Sequence, residues 1–411
     1  MKIRLPISLI FIATIILFVG CTNKSENNRA LQERGVNELE EGYTPHPQPH
    51  KMPHPEINAT VLETTKISAD NLQSFPTPIQ QLHTYLNHED EIKHHTYDLD
   101  VMVSNHFLFH VASINENRII MLDQSQNRLI EYDIEQNEYV SLAPEGRGPG
   151  DLLFTRDMRL INNQLYIGMQ GFRISVFDCT TSPCQYDRTI STDYNNYSVA
   201  QADDKTIFLG LSSFGREQDP DPSRINQSTL HVLSSDGESI NSFSPVYQHP
   251  SPIVRERMNA NGTVHYIPGA EKVVLTYQYY PYFYTYDING NLNEKLEIPG
   301  FKIGFYDFNE EDGIGRFRFN DSSDITYTTL IADSWIVFQI RNRINMKREE
   351  SGGVSGESWH SYYAYNADTG NYYHIGDDHT FSTREGRAIF IVDDGIIINE
   401  GGESISFIRA N

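Results

Sequence analysis

The segment Gly146-Arg-Gly-Pro-Gly-Asp151 offers the most specific local chemistry in this chain. Glycines at 146, 148 and 150 allow successive backbone N–H groups to point one way, the geometry of an anion-binding nest. Arg147 would add charge beside them. The segment lacks the Lys-Ser/Thr ending of a phosphate loop, however, and no helix signal follows it. A tight connection that needs positive φ at glycine explains Gly146, Arg147, Gly148, Pro149, Gly150 and Asp151 equally well.

Carboxylates form a second group: Asp203-Asp204, Asp219 and Asp221, Glu310-Glu-Asp312, Asp377-Asp378 and Asp393-Asp394. Hard cations such as calcium take oxygen ligands, but acidic residues at turns also bond their own backbone. No set of them converges from spacing alone, so no cofactor is expected and calcium stays open. His94-His95 and the pair His374 and His379 are candidate ligands of the same kind, and solvated loop histidines are commoner. Neither a G-x-S-x-G elbow nor an H-E-x-x-H pair is present. Tyrosines crowd at 277, 279, 280, 282, 284 and 286. Alternate residues of a strand face opposite ways, so some belong to the core. Others, with Tyr279, Tyr280, Tyr282 and Tyr284 as candidates, could present an amphipathic surface to a sugar or peptide.

These residues sit in a chain that reads as β throughout. With 24 Tyr and 21 Phe against 2 Trp, the aromatic content favours strands over helices. Beyond about Leu99 a texture repeats: a short run of alternating apolar and polar residues, a turn of Asp, Asn and Gly, then another run. Arg118-Ile-Ile-Met-Leu-Asp and Arg128-Leu-Ile-Glu-Tyr-Asp make one copy; Gln164-Leu-Tyr-Ile-Gly and Arg173-Ile-Ser-Val-Phe-Asp make the next. Alternation is the period of a half-buried strand, and the Asn/Gly steps are hairpin turns. About six units of roughly 40–65 residues fit four-stranded propeller blades, and a closed ring leaves only short outer edges. The expected fold is all-β, a six-bladed β-propeller of four-stranded antiparallel blades over 57–411. Two β-sandwiches or a β-helix are the alternatives. Two enlarged loops are expected, at 210–226 and 341–359, and one helix, around 78–92.

The N-terminus sets location. Lys2 and Arg4 precede an apolar run from Leu5 to Val19, then Gly20 and Cys21, after which the chain turns polar at once. This pattern is that of a secretory signal, too short to span a membrane comfortably. With cysteine at the cut it resembles a bacterial lipoprotein signal, which implies removal of 1–20 and acylation of Cys21. Residues 21–56 read as a tether, polar at first and then rich in His and Pro, with 43–55 favouring an extended polyproline spacer. With Cys21 lipidated, Cys179 and Cys184 are the remaining pair, and outside the cytoplasm a disulfide is expected. A formal charge of -23 argues against nucleic acid and anionic membrane surfaces, which demand clustered Lys and Arg.

Glu145-Gly-Arg-Gly-Pro-Gly-Asp-Leu152, followed by Asn163-Gln-Leu-Tyr-Ile and Phe172-Arg-Ile-Ser-Val-Phe-Asp, resembles the six-bladed β-propeller lipoproteins common in Bacteroidetes. Those carry a G-x-G-P-G-E-F segment before a strand pair. This chain departs from them in Asp151-Leu152 for Glu-Phe and in Met169-Gln-Gly at the following turn. The resemblance implies a cell-envelope lipoprotein, anchored in the outer membrane and facing the periplasm or the surface. It implies no single activity. NHL-type propellers, similar in fold, are mostly binding scaffolds. The expected function is therefore a lipid-tethered, monomeric scaffold that binds a ligand or envelope protein without turning it over. The alternative is a calcium-dependent hydrolase of the lactonase type, working in the central pocket.

Overall fold

The computed structural model describes residues 43–47, 58–68, 70–88, 95–98, 109–123, 127–211, 228–247, 252–309, 315–318, 321–348, 354–379, 388–399 and 404–409. They form a six-bladed β-propeller, with one further small sheet. The innermost strands of blades 1 to 6 are Phe109–Asn115, Thr155–Ile161, Asn195–Ala202, Gly262–Ile267, Ser322–Ile331 and Ala388–Val392. From each, the chain meanders outward through antiparallel partners. The hairpins close as the sequence requires: Asn162 and Asn163 take φ of 51° and 59° between Thr155–Ile161 and Gln164–Met169, the left-handed pair that a tight hairpin turn needs.

Residues 58–68, 70–88 and 95–98 belt the rim. Thr60–Val61 adds a parallel strand to the outer edge of blade 4, and Thr64–Lys66 does the same for blade 5. These two blades therefore have five strands rather than four. A helix, Thr77–Asn87, starts with Pro at its first turn, where the missing N–H costs nothing. It buries Ile79, Leu82 and Tyr85 against Ile375, Ile389, Ile396 and Ile398 of blades 5 and 6. His95–Asp98 then becomes the outermost strand of blade 6, paired with Ser404–Arg409. The ring is thus closed by residues from both ends of the propeller, and the unit begins before Leu99. Covering outer edges in this way removes templates for unwanted strand pairing.

Three sequence expectations differ from the structure. Tyr43–Pro47, assigned above to a polyproline spacer, pairs antiparallel with Phe305–Asn309; as an edge strand it tolerates Pro45 and Pro47. The presumed loop 341–359 is instead a long hairpin, Trp335–Arg348 against Val354–Asn366, in which Arg341 faces His360 and Lys347 faces Ser355. At 14 residues its first strand extends about 45 Å, well beyond its neighbours, and its charged outer half reads locally as loop. A second helix, Pro252–Ala260, precedes blade 4. Most of 210–226 lies outside the described residues. No helix among the described residues is long and apolar enough to cross a membrane.

The core is laid down between blades, not inside a sandwich. Phe283 packs toward blade 5 with Phe338 and Tyr365, whereas the next residue, Tyr284, packs toward blade 3 with Leu209 and Leu230. A blade has a neighbour on each face, so strict alternation delivers two buried faces here rather than one wet one.

Candidate binding site at the channel mouth

The end of the channel where the inner strands begin, called here the upper mouth, gathers polar side chains from several blades. Asp324 lies near the start of the blade 5 inner strand and is fully buried. Arg341 donates to it through Nε (3.2 Å) and Nη2 (2.6 Å), and Arg343 through Nη1 (2.6 Å). Gln278 Nε2 adds a fourth donor at 3.2 Å. The long hairpin explains this pairing, since Arg341 and Arg343 stand in register with Asp324 and Ser322 on adjacent strands. Burial alone would raise the Asp324 carboxyl's pKa. The two guanidinium groups and Gln278 outweigh it and hold it below the usual carboxylate range.

A second buried pair stands on blade 2. Arg159 Nε donates to Asp157 Oδ2 at 3.1 Å, as do Ser198 Oγ (2.7 Å) and the Val199 amide (3.0 Å) of blade 3. Burial again opposes ionisation of Asp157, and Arg159, His110 and the Ser198 hydroxyl overcome it. His110 of blade 1 stands 3.8 Å from the other carboxylate oxygen. Arg159 also reaches the Thr328 carbonyl of blade 5 at 3.3 Å. On blade 4, His265 Nε2 meets the Thr328 hydroxyl at 2.8 Å. Burial, reinforced by Arg159, pushes the His265 pKa down to about 3.

Through these bonds Arg159, His265 and Thr328 form a layer that links blades 2, 4 and 5 across the channel. Above it is a recess of about 270 Å³ whose walls include His110, Arg156, Tyr197, Gln278 and Arg341. Below it is a wider cavity of about 500 Å³ carrying Asp203, Asp333 and Asp393. Burial, then Asp394 and Asp333, raises the Asp393 carboxyl. The two mouths therefore differ in sign. Arg156 and Arg341 line the upper recess against Asp157, and Arg257 and Arg343 lie near Tyr279 with Asp324 and Glu256 opposing them, whereas Arg159 is on the wall of the lower cavity among its three carboxylates. Glu256 accepts from the Tyr197 hydroxyl at 3.3 Å.

The residues singled out in sequence are placed elsewhere, with one exception. Tyr279 is partly buried and shares the field of Asp324, Arg257, Arg341 and Arg343 at the mouth. Tyr280 and Tyr284 are fully buried with Tyr277 and Tyr286, which removes them from any contact surface. Tyr282 sits at the blade's outer part, with Lys295 Nζ 4.2 Å over its ring. Cys179 and Cys184 are joined in a disulfide at a turn of blade 2. Glu131 anchors that turn by accepting from Ser182 Oγ and the Cys184 amide, each at 2.7 Å. Cys21 lies outside the described residues. Among the described residues no three His, Cys, Asp or Glu side chains gather as a metal ion would need.

The glycine motif connects blades 1 and 2, and its nest is already filled from within. Asp151 Oδ2 accepts from the Gly148 amide at 2.7 Å, while Arg173 donates to the Arg147 and Gly146 carbonyls at 2.9 and 3.1 Å. Gly150 alone of the three has positive φ, 81°. At Gly146 and Gly148 the constraint is space, because an added Cβ would come within 2.3 and 2.8 Å of Asp151 Oδ2. Gly150→Val would combine a forbidden φ with a Cβ 3.0 Å from the Tyr186 ring. It is expected to destabilise the fold by more than about 1 kcal/mol, read as a lower urea midpoint at constant slope. A midpoint equal to wild type would show that the connection relaxes freely.

The residues of the mouth escaped sequence analysis because they come one or two at a time from separate blades. The usable signal was polar residues breaking the apolar run of inner strands, as in Thr155-Arg-Asp-Met-Arg and Ser322-Ser-Asp-Ile.

Comparison with known proteins agrees with the fold. No family model matches the chain, and no curated protein does. Among solved structures, a member of the DUF4221 family from Bacteroides vulgatus is 12% identical over 77% of this chain and 96% of its own, with a TM-score of 0.52. A candidate exported protein from Bacteroides fragilis is 13% identical over 86% of this chain and all of its own, with a TM-score of 0.50. At such identities the likeness is one of fold alone.

Proposed function

We propose that this chain is a lipid-tethered, extracytoplasmic propeller that binds a small anionic ligand, such as a carboxylate or phosphate, at its upper mouth. The observation that carries this is that Arg156 and Arg341 line one recess against a single carboxylate, Asp157, in a chain of formal charge -23. Arginine presents planar donors suited to carboxylate and phosphate, and the buried Asp324 fixes Arg341 in place before any ligand arrives. The location is supported by the signal-like N-terminus and by the candidate exported relative in fold.

The calcium-dependent hydrolase is the weaker reading, because a cation on the axis would sit beside Arg159. His265, with a pKa near 3, is also a poor general base at neutral pH.

A thermal-shift panel of acetate, succinate, citrate and inorganic phosphate tests the ligand class. At 100-fold excess over Kd a bound anion adds about 2.7 kcal/mol, so at least one member should raise the melting temperature, and sodium chloride at equal ionic strength should not. A shift given by calcium and by none of the anions would reverse the assignment. For the tether, mass spectrometry of the mature N-terminus should find an acylated Cys21. An unmodified mature N-terminus at any other residue would remove the lipid anchor from the account.

A further inference from the structure

A second recess, of about 390 Å³, opens on the outer half of blade 5 beside the connection from blade 4. Its size falls within the range of about 300–1,000 Å³ common for small-molecule sites. We infer that it is a binding site for a neutral polyhydroxylated ligand, a sugar in chemical class. The reading does not rest on the anion site at the mouth, although Arg343 stands at the edge of both.

The lining carries both halves of such recognition. Trp359, Tyr363 and Phe301, each partly exposed, supply aromatic surface, on which the C–H faces of a sugar ring lie well. Asp377 supplies an acceptor. Ser361 Oγ donates to its Oδ1 at 2.5 Å, and His374 Nε2 meets the same atom at 3.2 Å. Among the described residues Oδ2 accepts no hydrogen bond, and the side chain is 35% exposed. The network extends inward. Asn342 Nδ2 (2.9 Å) and Trp359 Nε1 (3.2 Å) both donate to Ser361 Oγ, and Ser323 Oγ donates to Asn342 Oδ1 at 2.8 Å. Each member holds the next, so carboxylate and indole are set in position before binding.

Charge selects the ligand class. Aromatic rings beside a carboxylate would suit an ammonium ion, but Lys302 and Arg343 also line the recess. Arg343 is already paired with Asp324, so Asp377 and Lys302 balance, and a lining without net charge favours neither a cationic nor an anionic ligand. Hydroxyl groups, which both donate and accept, match the mixed lining.

The chain provides its own reporter. It has two tryptophans, and Trp335 packs away from the recess against Phe75 and Tyr373. In a Trp335→Phe background, Trp359 is the sole indole. Its emission should shift saturably on titration of the full chain with at least one of maltose, cellobiose, lactose and mannobiose. The midpoint should lie between about 10 µM and 10 mM. Asp377→Asn should weaken that midpoint at least tenfold, and Lys302→Ala, on the exposed rim, should weaken it without moving the melting temperature. Arg156→Glu should leave it unchanged, which separates this site from the mouth. No saturable shift with any of the four sugars, an unaltered midpoint in both Asp377→Asn and Lys302→Ala, or saturation by tetramethylammonium instead would each overturn the assignment.

Discussion

Asp324→Ala should destabilise the propeller by about 3–5 kcal/mol, the range for removing one member of a buried ion pair. Asp324 has no exposed surface, and the Arg341 and Arg343 side chains that converge on it are only 16% and 14% exposed. Without the carboxylate, two guanidinium groups are left facing each other in a largely dry site. Repulsion and lost hydrogen bonds act together there, so the loss should exceed that of the exposed Arg188–Asp187 pair, whose side chains are 41% and 40% exposed; exposed pairs contribute about 0–1 kcal/mol. Urea unfolding measures both. Adding Arg343→Met to Asp324→Ala should recover part of the loss, because it removes one stranded charge. A loss under about 1 kcal/mol for Asp324→Ala would mean that water enters the site and that its arginines are not held in advance of ligand.

Acid should begin to destabilise this protein above the range where carboxylates titrate. Burial pushes His231 down to about 4, and burial with neighbouring arginine pushes His265 and His360 down to about 3. All three are at most 4% exposed. Each folded-state pKa lies below the unfolded value of about 6.5. Below pH 6.5 the unfolded chain therefore takes up protons that the folded chain refuses. By linkage, stability is fully present above pH 6.5 and falls as pH drops toward the folded values. Each histidine contributes a slope approaching about 1.4 kcal/mol per pH unit, so three give about 4. The three together remove about 2–3 kcal/mol by pH 6 and about 10 by pH 4, so for a total in the lower half of the typical range of about 5–15 kcal/mol the midpoint of acid unfolding should fall between about pH 5.5 and pH 4. Asp157 and Asp324, both held low, extend the same trend below about pH 4. The check is the urea midpoint as a function of pH in wild type and His360→Gln. The variant should lose about one proton's worth of slope. A midpoint constant from pH 7 to pH 4 would show that these rings are solvated or already charged.

How far the sequence carried the structure can be traced residue by residue. The hairpin units were visible because Asn162-Asn163 and Asp287-Ile-Asn-Gly290 mark turns that only a few residue types can make. The ring followed from repeating such units. The belt did not, since Thr60–Val61 and Thr64–Lys66 are two and three exposed residues whose strand character exists only against blades 4 and 5. The tyrosines misled for the opposite reason. Tyr284 obeys strand alternation, but a propeller buries both faces of a blade, and Tyr280, in the hairpin turn between Lys272–Tyr277 and Tyr282–Tyr286, folds back against Tyr277. At the mouth, Asp157 and Asp324 are 167 positions apart and each pairs with arginine on its own blade. Their proximity to one recess is a property of ring closure, which no local pattern encodes.

The account rests on a positive upper mouth in a negative protein, and titration calorimetry with citrate tests this most directly. Wild type should bind saturably, more weakly as salt is raised, because screening reaches this partly open recess. Arg156 is exposed on the recess wall, so Arg156→Glu should still fold, as its far-ultraviolet circular dichroism will show. It should weaken binding by at least tenfold, about 1.4 kcal/mol. Asp393→Asn, at the opposite mouth, should change nothing. Citrate binding that survives Arg156→Glu, or that disappears with Asp393→Asn, would contradict the assignment of the ligand to the upper mouth.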